Sequence, residues 1–260
     1  MTGVQTCALP IYSFLQRLTQ QQPDHADFLL DTLRVVLQGD QRAMAPSIRF
    51  GRNQLAPPPE LAPSPASLRI RSDLFAAVIA QFNRAALPYC ILSGYEEYPD
   101  RIPSDVDLMV CPADMPRVST LLAQAADRCG ALLLQAIQHE TSACYFVLAK
   151  DDGRQVGFLN PDCCSDYRRQ GRLWLRADAI LAARRSFKNF YVPSVPDEFI
   201  YYLIKKVLKQ SIDASQMRRL HGLYQRAPHD CGNRLHRFWS AHTTDALTQA
   251  LIEQDLFWFA

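Results

Sequence analysis

No apolar run in this 260-residue chain approaches the ~18–20 residues that a helix needs to cross a bilayer. A helical membrane span is therefore not expected. The chain also lacks a strong excess of either charge: 28 Lys and Arg stand against 26 Asp and Glu, a formal net charge of +2. That near-balance argues against nucleic acid as the partner, which would call for a continuous basic face interleaved with aromatics. There is no CxxC pair. Setting aside Cys7, the cysteines are Cys90, Cys111, Cys129, Cys144, Cys163, Cys164 and Cys231. Scattered mostly singly through apolar segments, they read as buried thiols of a reducing cytoplasm rather than as disulfides. His229, Cys231 and His236 come nearest to a metal cluster, but their spacing fits no common zinc pattern.

What is present is ordinary for a folded protein, 48% hydrophobic and 21% charged residues, in a length suited to one large domain or two small ones. The charge is uneven. From Asp166 onward there are 15 Lys and Arg against 9 Asp and Glu, a basic half that would suit a polyanionic substrate.

The first eleven residues, MTGVQTCALPI, resemble the translation of a sequencing-library adapter and are set apart from the fold as an appended scar; on that reading the natural start of the chain lies elsewhere. Residues 12–45 carry helical spacing, with Pro23 separating two helices and Gly39 as a stop. Residues 46–67 hold Pro46, Pro57, Pro58, Pro59, Pro63 and Pro65, which reads as an extended linker.

The next expectation is an α+β domain over 68–190. A helix is expected over Leu74–Ala86, capped by Ser72 or Asp73, then a strand over Tyr89–Leu92. A second strand ends at Val110, and Asp114 is placed to cap a helix over Met115–Cys129, closed by Gly130. Strands over Leu132–Ile137 and Cys144–Lys150 precede the hairpin signal Asp151-Asp152-Gly153, and a further strand runs to Leu159. This order does not alternate as a doubly wound sheet would, and it points to a mixed sheet with helices on one face. Beyond Trp174 the chain reads as helical, with a short helix over Asp178–Arg185 and then a helical domain over 191–260 with helices over Asp197–Ser211, Ala214–Gln225 and Thr244–Leu256. Lys205 and Lys209 stand four apart on one face of the third-to-last of these. The apolar ending LFWFA is consistent with a truncated or docking C-terminus.

The chemistry concentrates in LSGYEEYPDRIPSDVDLMV, residues 92–110. Residues two apart on a strand share a side, so Asp105 and Asp107 face one way, while Val106, Leu108 and Val110 face the core. No Lys or Arg lies between Pro103 and Val110 to neutralise the pair. Carboxylates roughly 6–7 Å apart repel by ~2–3 kcal/mol at an effective dielectric near 20, a cost that a divalent cation would remove.

A small-residue turn at Ser93-Gly94, then Ser-Asp-x-Asp opening a second strand, resembles the nucleotidyltransferase superfamily that shares the DNA polymerase β catalytic fold. More narrowly, YCILSGYEEYPDRIPSDVDLMV with DCCSDYRRQGR is similar to nucleotidyltransferase-family proteins encoded near bacterial surface-polysaccharide genes, over about residues 68–188. The resemblance implies that Asp105 and Asp107 are metal ligands and catalytic, joined by a third carboxylate, Asp162 with Asp166 as the alternative. It further implies two Mg2+ ions (or Mn2+) and an NTP as donor, with an unidentified hydroxyl acceptor for which the family's gene neighbourhood suggests a sugar-derived compound. Ser93, Gly94, Ser104, Lys205, Lys209 or one of Arg168, Arg169 and Arg172 would meet the phosphates. Two positions depart from the family pattern. Tyr95 stands where a small hydroxyl residue is common, and Pro161 precedes Asp162. The non-enzymatic alternative is a degenerate domain of this fold that binds nucleotide or a protein partner.

Overall fold

The computed structural model describes residues 65–256, apart from 170–171 and 210–211, and the backbone alone of Arg169. The adapter-like start, the helices expected over 12–45, nearly all of the Pro-rich stretch and residues 257–260 lie outside the described residues.

Helix α1 runs over Pro65–Arg84, so it takes in the end of the stretch read as linker, and Ser72 and Asp73 lie inside it rather than at its cap. Proline at a first helical position costs nothing, because its missing N–H would be unpaired there anyway. Ile70, Leu74, Phe75, Val78, Ile79 and Phe82 form its buried stripe. The helix closes through Ala86 in a left-handed conformation (φ 50°), with Leu87 N–H donating to the Phe82 carbonyl at 3.0 Å.

Strand β1 (Tyr89–Ile91) pairs antiparallel with β2 (Val106–Val110). A short 3-10 turn at Pro112–Asp114 leads into α2 (Met115–Arg128). Asp114 does not cap α2 with its side chain as expected; its carboxylate pairs with Arg117 at 2.7 Å instead. Gly130, at φ 68°, closes α2 as the sequence suggested.

Then come β3 (Leu132–Glu140), β4 (Ala143–Asp151), β5 (Val156–Leu159) and β6 (Pro161–Cys164). The sheet order is β1-β2-β6-β4-β3, with β5 pairing on β4 above β6. Every pairing is antiparallel except β2 with β6, so this is the mixed α+β sheet that the element order implied.

Two hairpins follow that the sequence reading missed, β7 (Tyr167–Arg169) with β8 (Arg172–Leu175), and β9 (Arg185–Phe187) with β10 (Phe190–Val192). Between them α3 spans only Ala177–Ala182. The chain ends in α4 (Val195–Lys209), α5 (Ala214–Arg226), α6 (Pro228–Leu235) and α7 (Ala241–Glu253). Helix α6 was not expected, and it explains the His229–Cys231–His236 stretch. Cys231 is a fully buried core thiol.

Alternation along β2 divides the apolar residues between two cores. Val106, Leu108 and Val110 join α1 and α2 on one face. Met109, with Cys90 and Leu92 of the β1 segment, joins the C-terminal helices on the other. The cysteines of the described residues are free thiols, and no helix among these residues is long and apolar enough to cross a membrane.

Helix α1 packs against β5 so closely that a Cβ at Gly157 would lie 2.6 Å from Ile70 Cγ2 and 2.7 Å from its Cβ. Those atoms belong to a stiff β-branched side chain and cannot swing away. Gly157→Ala is expected to destabilise the fold by about 1–3 kcal/mol through overpacking. Urea denaturation reads this directly, and an unchanged midpoint would contradict the α1–β5 contact.

Candidate active site

The parallel pairing of β2 with β6 sets Asp107 level with Asp162. On the far side of β6, Asp162 is level with Tyr145 of β4. Asp105 stands just before β2, two residues ahead of Asp107. The three carboxylates line one cavity of about 290 Å3. Ser104, Lys205 and Lys209 line the same cavity, with Arg168, Asp166, His139 and Tyr201. Pro161, the other departure from the family pattern, does not interrupt the strand. It is the first residue of β6, a position that proline tolerates, and the carbonyl before it, on Asn160, accepts from Val106 N–H at 2.9 Å.

Each of the three carboxylates has its own donor. Tyr145 Oη donates to Asp105 Oδ1 at 3.1 Å and accepts from Asn160 Nδ2 at 2.7 Å. Lys205 Nζ donates to Asp107 Oδ2 at 2.6 Å. His139 Nε2 lies 2.9 Å from Asp162 Oδ1. Burial pushes the Asp162 carboxyl above the usual range, and the histidine hydrogen bond works against that rise. Asp166, the alternative third carboxylate, is used differently. Its Oδ1 accepts from the Ala177 N–H at the start of α3, and Oδ2 lies 3.6 Å from Arg168.

Other predicted residues fall outside the cavity lining. Leu92 lines it, but Ser93 and Gly94 do not. Gly94 has φ 76°, and a Cβ there would meet nothing within 4 Å. Glycine is therefore required by the backbone conformation rather than by crowding within the protein. Arg172 stacks over Trp174 at 4.2 Å, away from the lining residues, and the Arg169 side chain lies outside the described residues.

Tyr95, the departure from the family pattern, is a structural anchor. Its hydroxyl donates to Glu198 Oε2 at 2.5 Å and accepts from Arg185 at 2.7 Å. The Tyr95 hydroxyl is raised well above its ordinary value, first by burial and then by the charge of Glu198. Glu198 is fully buried, and its Oε1 accepts from Arg219 at 2.8 Å, while Arg219 also reaches Glu96 at 2.7 Å. This network ties the turn after β1 to α4, the helix that carries Lys205 and Lys209.

His139, Tyr145, Asn160 and Tyr201 were not singled out from the sequence. Tyr145 follows from register once β4 is paired with β6. His139 has no such signal. The β3–β4 register passes from Gln138↔Cys144 to Glu140↔Ala143, so His139 is the extra residue of a β-bulge, a device that re-aims side chains beside functional sites.

The donor set suits a hard divalent cation, since carboxylate oxygens are what magnesium prefers. As the side chains stand, no group of three His, Cys, Asp or Glu among the described residues is assembled to hold an ion.

No family model and no curated protein matches the chain. Among solved structures it is similar to JHP933 from Helicobacter pylori, at 13% identity and a TM-score of 0.41, over 68% of this chain and 75% of that one. It is also similar to an H. pylori protein provisionally assigned as a nucleotidyltransferase, at 10% identity and a TM-score of 0.38, over 74% of this chain and 96% of that one.

Removing the buried acid at the centre of the anchor should be costly. Glu198→Ala leaves Arg185 and Arg219 without their shared partner and is expected to cost about 3–5 kcal/mol of stability. Chemical denaturation measures it; a loss below about 1 kcal/mol would show that the network does not hold α4 in place.

Proposed function

We propose that this cavity is the active site of a cytoplasmic nucleotidyltransferase that moves a nucleoside monophosphate from an NTP to a hydroxyl acceptor. The observation that carries the reading is the convergence of Asp105, Asp107 and Asp162 from two parallel strands onto a cavity that Lys205, Lys209 and Arg168 also line. Carboxylates and cations facing one space suit a metal-bound polyphosphate, in which both signs of charge are present.

Asp105, Asp107 and Asp162 would hold magnesium. The bound ions would supply activation of the attacking hydroxyl and neutralisation of charge on the departing pyrophosphate. Tyr145 holds Asp105 by its hydroxyl and is itself held by Asn160, which orients a carboxylate that stands just before the strand. Lys209, Arg168 and the Ser104 hydroxyl, which line the cavity, would meet phosphate oxygens. The acceptor enters from the side where His139 and Glu140 of the exposed edge strand line the cavity. A polar, sugar-derived hydroxyl compound suits that lining.

A second reading has its own supporting observation. Lys205 and His139 already occupy two of the three carboxylates, as a degenerate site that binds nucleotide without metal would have them.

Thermal denaturation with magnesium and each NTP separates the two. The enzyme reading expects an NTP to raise the melting temperature only with magnesium, by about 5–10 °C at a hundredfold excess over Kd. Asp107→Asn should abolish that metal-dependent increment while keeping the fold. Stabilisation by NTP that is indifferent to magnesium in the wild type would favour the binding module, and no stabilisation by any NTP would sink both.

A further inference from the structure

Asp107 stands at the centre of the three carboxylates, and its Oδ2 is already engaged. Lys205 Nζ lies 2.6 Å away, with the lysine side chain 19% and the aspartate 26% exposed. Water and salt screen such a pair less than they would on an open surface. The donors on the other two carboxylates differ in kind, a phenol on Asp105 and an imidazole on Asp162. Lys205 brings a cationic side chain against a carboxylate oxygen on which a divalent ion could sit. A divalent ion on that oxygen would stand against an ammonium 2.6 Å away, and the two cations repel.

We infer that Lys205 is a resident counter-cation which a divalent ion must displace from Asp107, and that a polyphosphate is what receives the displaced ammonium. The site then takes metal and polyphosphate together, and metal alone poorly. This rests on the metal-binding reading of the cavity given above.

Three observations support it. The carboxylates are gathered by the sheet, yet no ion-holding group of three is assembled among the described residues. Each carboxylate instead has its own hydrogen-bond partner. Once released, Lys205 remains in a cavity that Lys209 and Arg168 line together with the carboxylates, so with a metal on the acids three cations are left for an anion of several charges. The neighbouring Lys206 amine is already lowered, by burial and then by Lys205 and Lys209, which marks the strain of gathering positive charge on this helix. Because binding couplings are reciprocal, a polyphosphate that draws Lys205 away must raise metal affinity by the same factor that the metal raises affinity for it.

The test is a titration of Mn2+ alone into the full chain, followed by the electron paramagnetic resonance of free Mn2+. Wild type is compared with Lys205→Met and Lys209→Met. A separate arm measures thermal stabilisation of wild type by Mg2+ with an ATP analogue carrying a methylene between the α and β phosphates. Lys205→Met is expected to bind Mn2+ about 10- to 100-fold more tightly than wild type, the equivalent of losing one charge-assisted hydrogen bond. Lys209→Met removes the same charge from the same cavity without touching Asp107 and is expected to gain clearly less. Adding Asp107→Asn to Lys205→Met should erase the gain. Equal gains from the two lysine variants, or none from Lys205→Met, would overturn the inference while metal-dependent stabilisation by the analogue leaves the active-site reading standing. If Mn2+ binds no variant and the analogue stabilises nothing, both fall.

Discussion

The parallel pairing of β2 with β6 is the constraint from which the site follows. It is the lone parallel pairing in the sheet, and it lies between strands whose alternate residues are buried. Because side chains alternate with a period of two, a slip of one residue would exchange Asp107 with Val106 or Leu108 across the sheet. That slip would drive a carboxylate into the core that holds Leu108, Cys163 and Leu159. The apolar residues on the two faces therefore enforce the register that sets Asp107 beside Asp162. Carboxylates are brought together here by hydrophobic burial elsewhere on the same strands, and not by any attraction between themselves.

The cations reach the site through a different element, and its placement depends on buried charge. The first turn of α4 carries Asp197 and Glu198, both buried, where negative charge complements the helix dipole. Asp197 is met by Arg234 at 2.7 Å and by the Ser194 hydroxyl at 2.6 Å, and Glu198 by Tyr95 and Arg219. Seven residues later, roughly 10 Å along the axis and nearly on the same side, stands Lys205. The acids at the start of the helix thus fix both its rotation and its axial position. The tyrosine that departed from the family pattern in the turn after β1 is one of the groups that hold it.

Part of this was legible in the sequence. The Asp105–Asp107 pair follows from strand alternation, and Lys205 with Lys209 from helical spacing; all four line one cavity. The mixed sheet followed from the order of elements. The rest depended on tertiary pairing. Pro161 looked like a strand breaker because a lone sequence does not say which residue opens a strand. The β7–β8 and β9–β10 hairpins have strands of three or four residues, too short to show a period. Helix α1 reached back to Pro65 because proline is acceptable in a first turn, where composition alone suggested a linker. His139 was hidden by a bulge, which by nature breaks the alternation that a sequence reading relies on.

The three donors also explain how the sheet can gather its carboxylates before any ligand arrives. Like charges on adjacent strands repel by an amount that rises as water is excluded, and Asp162 is already raised by burial. A phenol, an ammonium and an imidazole offset that repulsion one carboxylate at a time. They do so at the ends of side chains rather than through the backbone. The fold can therefore keep its register whether or not the donors are in place, and a ligand that offers a better counter-charge has only side chains to move. Of the three, only the lysine is carried by an element outside the sheet, so the pairing at Asp107 is where the helical layer and the sheet act on one another.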